Sequence, residues 1–159
     1  MARQRYDEER LRAALAATRA ILRERYGERL PPAPQVAGAA LAGTVLDGVL
    51  RIDDLARDRG EEPAHDRGAL RAAVGELAHR LAERAPGNSV ELRVPPYVAV
   101  QAVAGPAHTR GTPPNVVETD AVTWLRLATG RTGWAEALHT GRLSASGERA
   151  DLSGYLPLA

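Results

Sequence analysis

Near residue 88 the hydrophobic pattern of this chain changes period. Before that point apolar residues recur at helical spacing; after it Val90, Leu92 and Val94 alternate with Glu91 and Arg93. A period of 3.6 buries a stripe of a helix and a period of 2 buries one face of a strand, so the chain must build helices first and a sheet second. Helical spacing then returns between Asp120 and Gly141, which implies an α+β layer structure with the sheet covered on one face.

Three helices are expected in the first half. Leu11, Leu15, Thr18 and Leu22 line a one-faced helix from Asp7 to Tyr26, with Asp7 suited to the N-cap and Gly27 to the left-handed residue beyond the end. Its apolar stripe requires cover from the main domain or from a second copy of itself. After Pro31, Pro32 and Pro34 a second helix is expected from about Gln35 to Leu50, although Gly38, Gly43 and Gly48 disfavour it. The polar stretch from Asp53 to Arg67 reads as a linker with one helical turn at Asp54 to Arg57. Leu70, Val74, Leu77 and Leu81 then mark a clear helix from Arg67 to Arg84.

The strands expected next are Ser89 to Val94 and Tyr97 to Val103. Pro95 and Pro96 cannot take the positive φ of a tight type I′ hairpin, so their connection must be wider or bent. A loop from Gly105 to Pro114 leads to a third strand, Asn115 to Glu118. A short helix capped by Thr119 or Asp120 runs to Gly130, and another capped by Thr132 runs to Gly141. A last strand is expected over Arg142 to Arg149, with Leu143 and Ala145 on one face, followed by a short tail.

Composition narrows the chemistry. The chain has neither Cys nor Lys, which excludes thiol catalysis, thiolate metal sites, disulfides, Schiff-base enzymes and lysine-dependent phosphate loops. Its basic side chains are all Arg, which with abundant Ala, Gly and Pro reads as the composition of a GC-rich genome. Residues 1–50 hold 8 Arg against 6 acids and residues 51–159 hold 13 against 14, so no basic face points to nucleic acid. No stretch is long and apolar enough to span a membrane, and a cytoplasmic location is expected.

The run Gly130-Arg-Thr-Gly-Trp134-Ala-Glu-Ala-Leu-His-Thr-Gly141-Arg-Leu-Ser-Ala-Ser-Gly147 resembles the sterol carrier protein motif, a glycine-bounded helix leading into a strand. Asp120 to Gly130 matches that family's acidic start, apolar helix and terminal glycine. Val94-Pro-Pro-Tyr97, Gln101, His108 to Asp120 and Asp151 to Leu158 resemble the actinobacterial sterol carrier family orthologues more closely. The resemblance covers about residues 66–159, weakens back to Arg51 and does not reach residues 1–50. A similar domain forms the carboxy-terminal part of mycothiol-dependent maleylpyruvate isomerases. The resemblance implies an α+β sterol carrier protein-like fold, a small and mostly antiparallel sheet with helices on one face and an apolar cavity between the layers. The chain accordingly divides into an amino-terminal helical extension, 1–50, and a sterol carrier protein-like domain, 51–159.

The candidate ligand-binding residues are His108, Arg110, Thr112, Asn115, Glu118, Trp124, Leu125 and Trp134. Arg110 suits a bidentate contact to a carboxylate or phosphate and His108 exchanges a proton near neutral pH; the alternative is that Arg110 pairs with Glu118 or Asp120. Trp124, Leu125 and Trp134 would wall the apolar part of the ligand, or else form ordinary core. Two Glu-x-x-His pairs, Glu76 with His79 and Glu136 with His139, suggest a di-metal bundle only on four long helices. The second pair lies on two helical turns between strands, so no metal is expected, and Glu76 is assigned to Arg80 as an i, i+4 pair. Ser144 and Ser146 lack a nucleophile elbow, and no dinucleotide fingerprint occurs.

The expectation is a non-enzymatic carrier of an apolar or amphipathic, lipid-like small molecule, without cofactor, catalytic residue, nucleic acid or transmembrane segment. One alternative is an enzyme or enzyme accessory of isomerase or cyclase type that uses His108 and Glu118 for acid-base work in the same pocket. Another is a helix-mediated interaction module, with a homodimer through the amino-terminal helices.

Overall fold

The computed structural model describes residues 5–106 and 114–158. They divide between Glu76 and Leu77 into two compact units, and the division falls within helix α3 (Arg67–Arg84).

In the first unit α1 spans Glu8–Glu24 and begins where expected, because the Asp7 carboxylate accepts the Arg10 amide at 3.0 Å. At its other end Gly27, at φ +69°, turns the chain so that its amide and that of Glu28 reach the carbonyls of Arg23 and Leu22. The apolar stripe of α1 packs on α2, Gly38–Arg59, within the same unit. It therefore does not depend on a second copy for cover. Leu22, Tyr26, Ile52 and Ala56 form one buried cluster, with Ile21, Leu30 and Leu55 packed around it.

Helix α2 corrects the expected linker. It continues nine residues beyond Leu50, to Arg59, and ends in a Schellman closure at Gly60. Val45, Val49, Ile52 and Ala56 are all fully buried, so the stripe keeps its period through the charged run; Asp53 is buried with them, while Arg51, Arg57, Asp58 and Arg59 are exposed. The start of α2 also has an unexpected device. Ala37 has no side chain able to cap it, and Glu8 of α1 accepts the Gly38 amide at 2.7 Å. Gly48, which disfavours a helix by propensity, permits the contact between the helices: a Cβ there would lie 2.7 Å from Thr18 Cγ2.

The second unit holds the carboxy-terminal half of α3 and a four-stranded sheet in the order β2-β1-β3-β4. The strands are β1 Val90–Val94, β2 Val98–Ala102, β3 Val116–Thr119 and β4 Leu143–Ser146. The β1/β2 and β3/β4 ladders are antiparallel and the central β1/β3 ladder is parallel. The β1-to-β2 connection is wider than a two-residue hairpin, as the prolines require: Val94 pairs with Val98, the Pro95–Pro96 peptide is cis, and the Tyr97 amide donates to the Val94 carbonyl. Val90, Leu92, Val94, Val117, Thr119 and Leu143 lie on the buried side of the pleat, while Ala99, Gln101, Glu118 and Ser144 are exposed on the other.

Helix α4, Ala121–Ala128, is capped by Asp120, which accepts from the Thr123 amide at 2.9 Å and from its hydroxyl at 2.7 Å. Helix α5, Trp134–His139, is not capped by Thr132 as expected; Gly133 occupies that position. The amides of both Arg131 and Thr132 are bound to the Arg126 carbonyl, so Thr132 belongs to the closing turn of α4. β4 is shorter than expected. Ala145, on the same side as Leu143, is exposed because β4 is an edge strand and Gly147, at φ +108°, turns the chain away. The tail is strapped down by Arg84, which donates to the carbonyls of Tyr155 and Pro157, and by the Leu158 amide, which donates to Ala128.

Candidate functional site

The two described ends of the connection from β2 to β3 lie beside Ser89, at the amino end of β1, and both are fastened to it. The Ser89 amide donates to the Val103 carbonyl at 3.0 Å, and its own carbonyl accepts from the Asn115 side-chain amide at 2.7 Å. The other end of that amide, Oδ1, accepts the Arg149 amide N–H at 2.9 Å. The Asn115 carbonyl accepts from Glu91 at 3.0 Å and starts the β1/β3 ladder. One nearly buried side chain thus joins the starts of β1 and β3 to the segment after β4.

The backbone here is unusual. Val103 sits at φ +68°, a left-handed conformation that costs a β-branched residue on the order of 1 to 3 kcal/mol. It is held there because its amide donates to Ala85 at 2.6 Å while its carbonyl takes Ser89. Two glycines allow the close approach: a Cβ on Gly87 would lie 2.1 Å from the Val103 carbonyl oxygen, and one on Gly147 would lie 2.3 Å from Asn115 Oδ1. Arg149 closes the base, its guanidinium donating to the Ala104 carbonyl at 3.3 Å.

Of the expected site residues, His108, Arg110 and Thr112 lie outside the described residues. Asn115 is at the base of the connection, with both ends of its amide engaged as above. Glu118 is exposed on the open side of the sheet, in register with Arg93 and Ser144. Arg93 is paired with Glu91 at 2.8 Å, and that hydrogen bond, with Glu91 and Glu118 as neighbouring charges, holds its pKa above the usual arginine value. Trp124 and Leu125 are buried core of α4, and Trp134 is half-buried at the start of α5. Glu118 thus lies on the exposed side of the sheet, whereas Trp124 and Leu125 are in the core. The connection joins β3 at its amino end and α4 leaves its carboxy end, roughly 13 Å along four strand residues.

Ser89, Val103, Gly147 and Arg149 were not among the residues expected to matter. The available signal was the pair of glycines, Gly87 and Gly147, each beside a strand end where a turn alone would not require one.

In the first Glu-x-x-His pair both side chains have other partners. The Glu76 carboxylate accepts from the Tyr6 hydroxyl at 3.2 Å and pairs with Arg5 at 3.5 Å, and His79 pairs with Glu83 at 3.0 Å. Among the described residues, no three potential metal ligands are grouped, and no helix is long and apolar enough to cross a membrane.

Compared with known proteins, residues 66–158 match the family model described as bacterial SCP ortholog. No curated protein matches the chain.

Proposed function

Because the chain belongs to the bacterial SCP ortholog family, we propose that residues 66–158 carry an apolar or amphipathic, lipid-like small molecule. Affinity comes from burial of the ligand's apolar surface, at ~25 cal/mol per Å², and a few polar groups set its orientation. The observation that carries this reading is the built base of the β2-to-β3 connection. A strained Val103, two required glycines and a shared anchor at Ser89 hold both ends of that connection firmly, which is what a binding loop on a rigid scaffold needs.

In this reading Arg110 and His108 hold an acidic head group, and Trp134 with the α4 residues meets the apolar part. The separation of the two ends of β3 favours a ligand longer than about 13 Å over a compact one. Asn115 acts through the loop base rather than through the ligand, since its amide is already engaged.

Tryptophan fluorescence titration with a long-chain fatty acid and its methyl ester tests the reading. Arg110→Ala should weaken the acid by about 1.5 to 3 kcal/mol and leave the ester almost unchanged. Equal losses for both would assign Arg110 a structural role, and no response to any amphiphile would remove the carrier function itself.

A further inference from the structure

The amino-terminal unit contains a groove of about 610 Å³ between one side of α1 and the segment 30–35. Leu15, Leu30 and the proline rings supply apolar surface, and Arg12, Arg19 and Arg23 line it with no acidic residue among the lining groups. These arginines stand at i, i+7 and i+11 on one side of the helix, so they span roughly 16 Å of its length.

Two of the three have structural work. Arg12 pairs with Glu8 at 3.5 Å and donates to the Val36 carbonyl at 3.2 Å, and Arg19 donates to the Pro31 carbonyl. They tie the proline segment to the helix. Pro31, Pro32 and Pro34 have no amide N–H and a fixed φ, so they stiffen this wall and add ring surface to it. The Arg23 side chain is exposed and makes no hydrogen bond or ion pair with any described residue. The groove is thus lined by apolar and cationic groups, with the Arg12 charge answered by Glu8 and that of the Arg23 side chain unpaired.

We propose that this groove docks an acidic, extended peptide segment of a partner protein. A single-headed amphiphile would answer only one of the three positive charges along the groove. A membrane surface is flat and would not enter a concave slot, and the groove has no aromatic platform for nucleic-acid bases. An extended peptide rises about 3.3 Å per residue, so roughly five residues cover the three arginines. Its carboxylates meet the guanidinium groups, and its alternate apolar side chains enter toward Leu15 and Leu30. The groove lies outside residues 66–158, so this docking does not depend on the carrier reading.

Selection of a random 12-residue display library on the full-length chain tests the proposal. The selected peptides should be rich in Asp and Glu interspersed with apolar residues. Synthetic copies should bind more weakly as salt rises and lose about tenfold or more on Arg23→Glu, a variant whose circular dichroism should match the parent because Arg23 supports no neighbour. No selected peptide, peptides without acidic enrichment, or peptides indifferent to Arg23→Glu would overturn the proposal. So would loss of phosphatidylserine-vesicle binding in that variant without any peptide effect, which would assign the groove to membranes.

Discussion

The side-chain amide of Asn115 donates to the backbone carbonyl of Ser89 at 2.7 Å, across 26 residues of chain, while its oxygen accepts from Arg149. Ser89 is fully buried and Asn115 nearly so, so loss of this side chain removes a buried partner from the Ser89 carbonyl. Asn115→Ala should therefore leave a carbonyl and an amide unsatisfied and destabilise the protein by about 2 to 4 kcal/mol in urea titration. Gly147→Ala should be comparably damaging, since its Cβ would overlap Asn115 Oδ1. A loss under 1 kcal/mol for both would show that the base of the connection rearranges freely.

Gly48 and Thr18 make a second close approach, and it is open to a double-mutant cycle. Gly48→Ala gains helix propensity but places a Cβ 2.7 Å from Thr18 Cγ2, so it should destabilise. Thr18→Ser removes that methyl group, and in its background Gly48→Ala should turn neutral or stabilising. Gly75→Ala provides the contrast: nothing lies within 4 Å of the added atom, and stability should rise by about 0.5 to 1 kcal/mol. Absence of coupling between positions 18 and 48 would contradict the packing described for α1 and α2.

These two glycines also show where sequence reading stops. Periodicity located α1 and α3, the first three strands and both short helices within a residue or two, because each buries a regular stripe or face; the last strand ends three residues before the expected Arg149. Periodicity ended α2 too early, since Asp53, Asp54, Arg57 and Asp58 outweigh Ile52 and Ala56 when composition is read locally, although the stripe continues underneath them. Gly48 counted against the helix because propensity is a local quantity, whereas the benefit of a missing side chain depends on Thr18, thirty residues away in sequence. Asn115 was expected to face a ligand for the same reason: an Asn beside a long loop offers polar chemistry, and only the fold reveals that Ser89 and Arg149 use it. Thr132 looked like a cap because it precedes a helix by two residues, and the closing turn of α4 had already taken its amide.

Asp151 gives a pH-dependent signature in the tail. Hydrogen bonds from the Ser153 hydroxyl and amide stabilise its carboxylate and hold its pKa below the ordinary value of 3.8, against a small opposing effect of burial. A depressed folded-state value means that the stabilisation is complete above the unfolded pKa and is lost as pH falls through the folded one, so the effect appears only in acid. Carboxyl NMR titration should find Asp151 low and should see it move up toward 3.8 in Ser153→Ala. An unchanged value in that variant would show that the hydroxyl is not the cause.

Native mass spectrometry of the full-length protein, purified directly and again after exposure to long-chain fatty acid, lysophospholipid and sterol, tests the carrier function most directly. The account predicts a one-to-one non-covalent adduct with at least one of these, lost when the Asn115→Ala change loosens the base of the connection. A bare protein mass under every condition would contradict it.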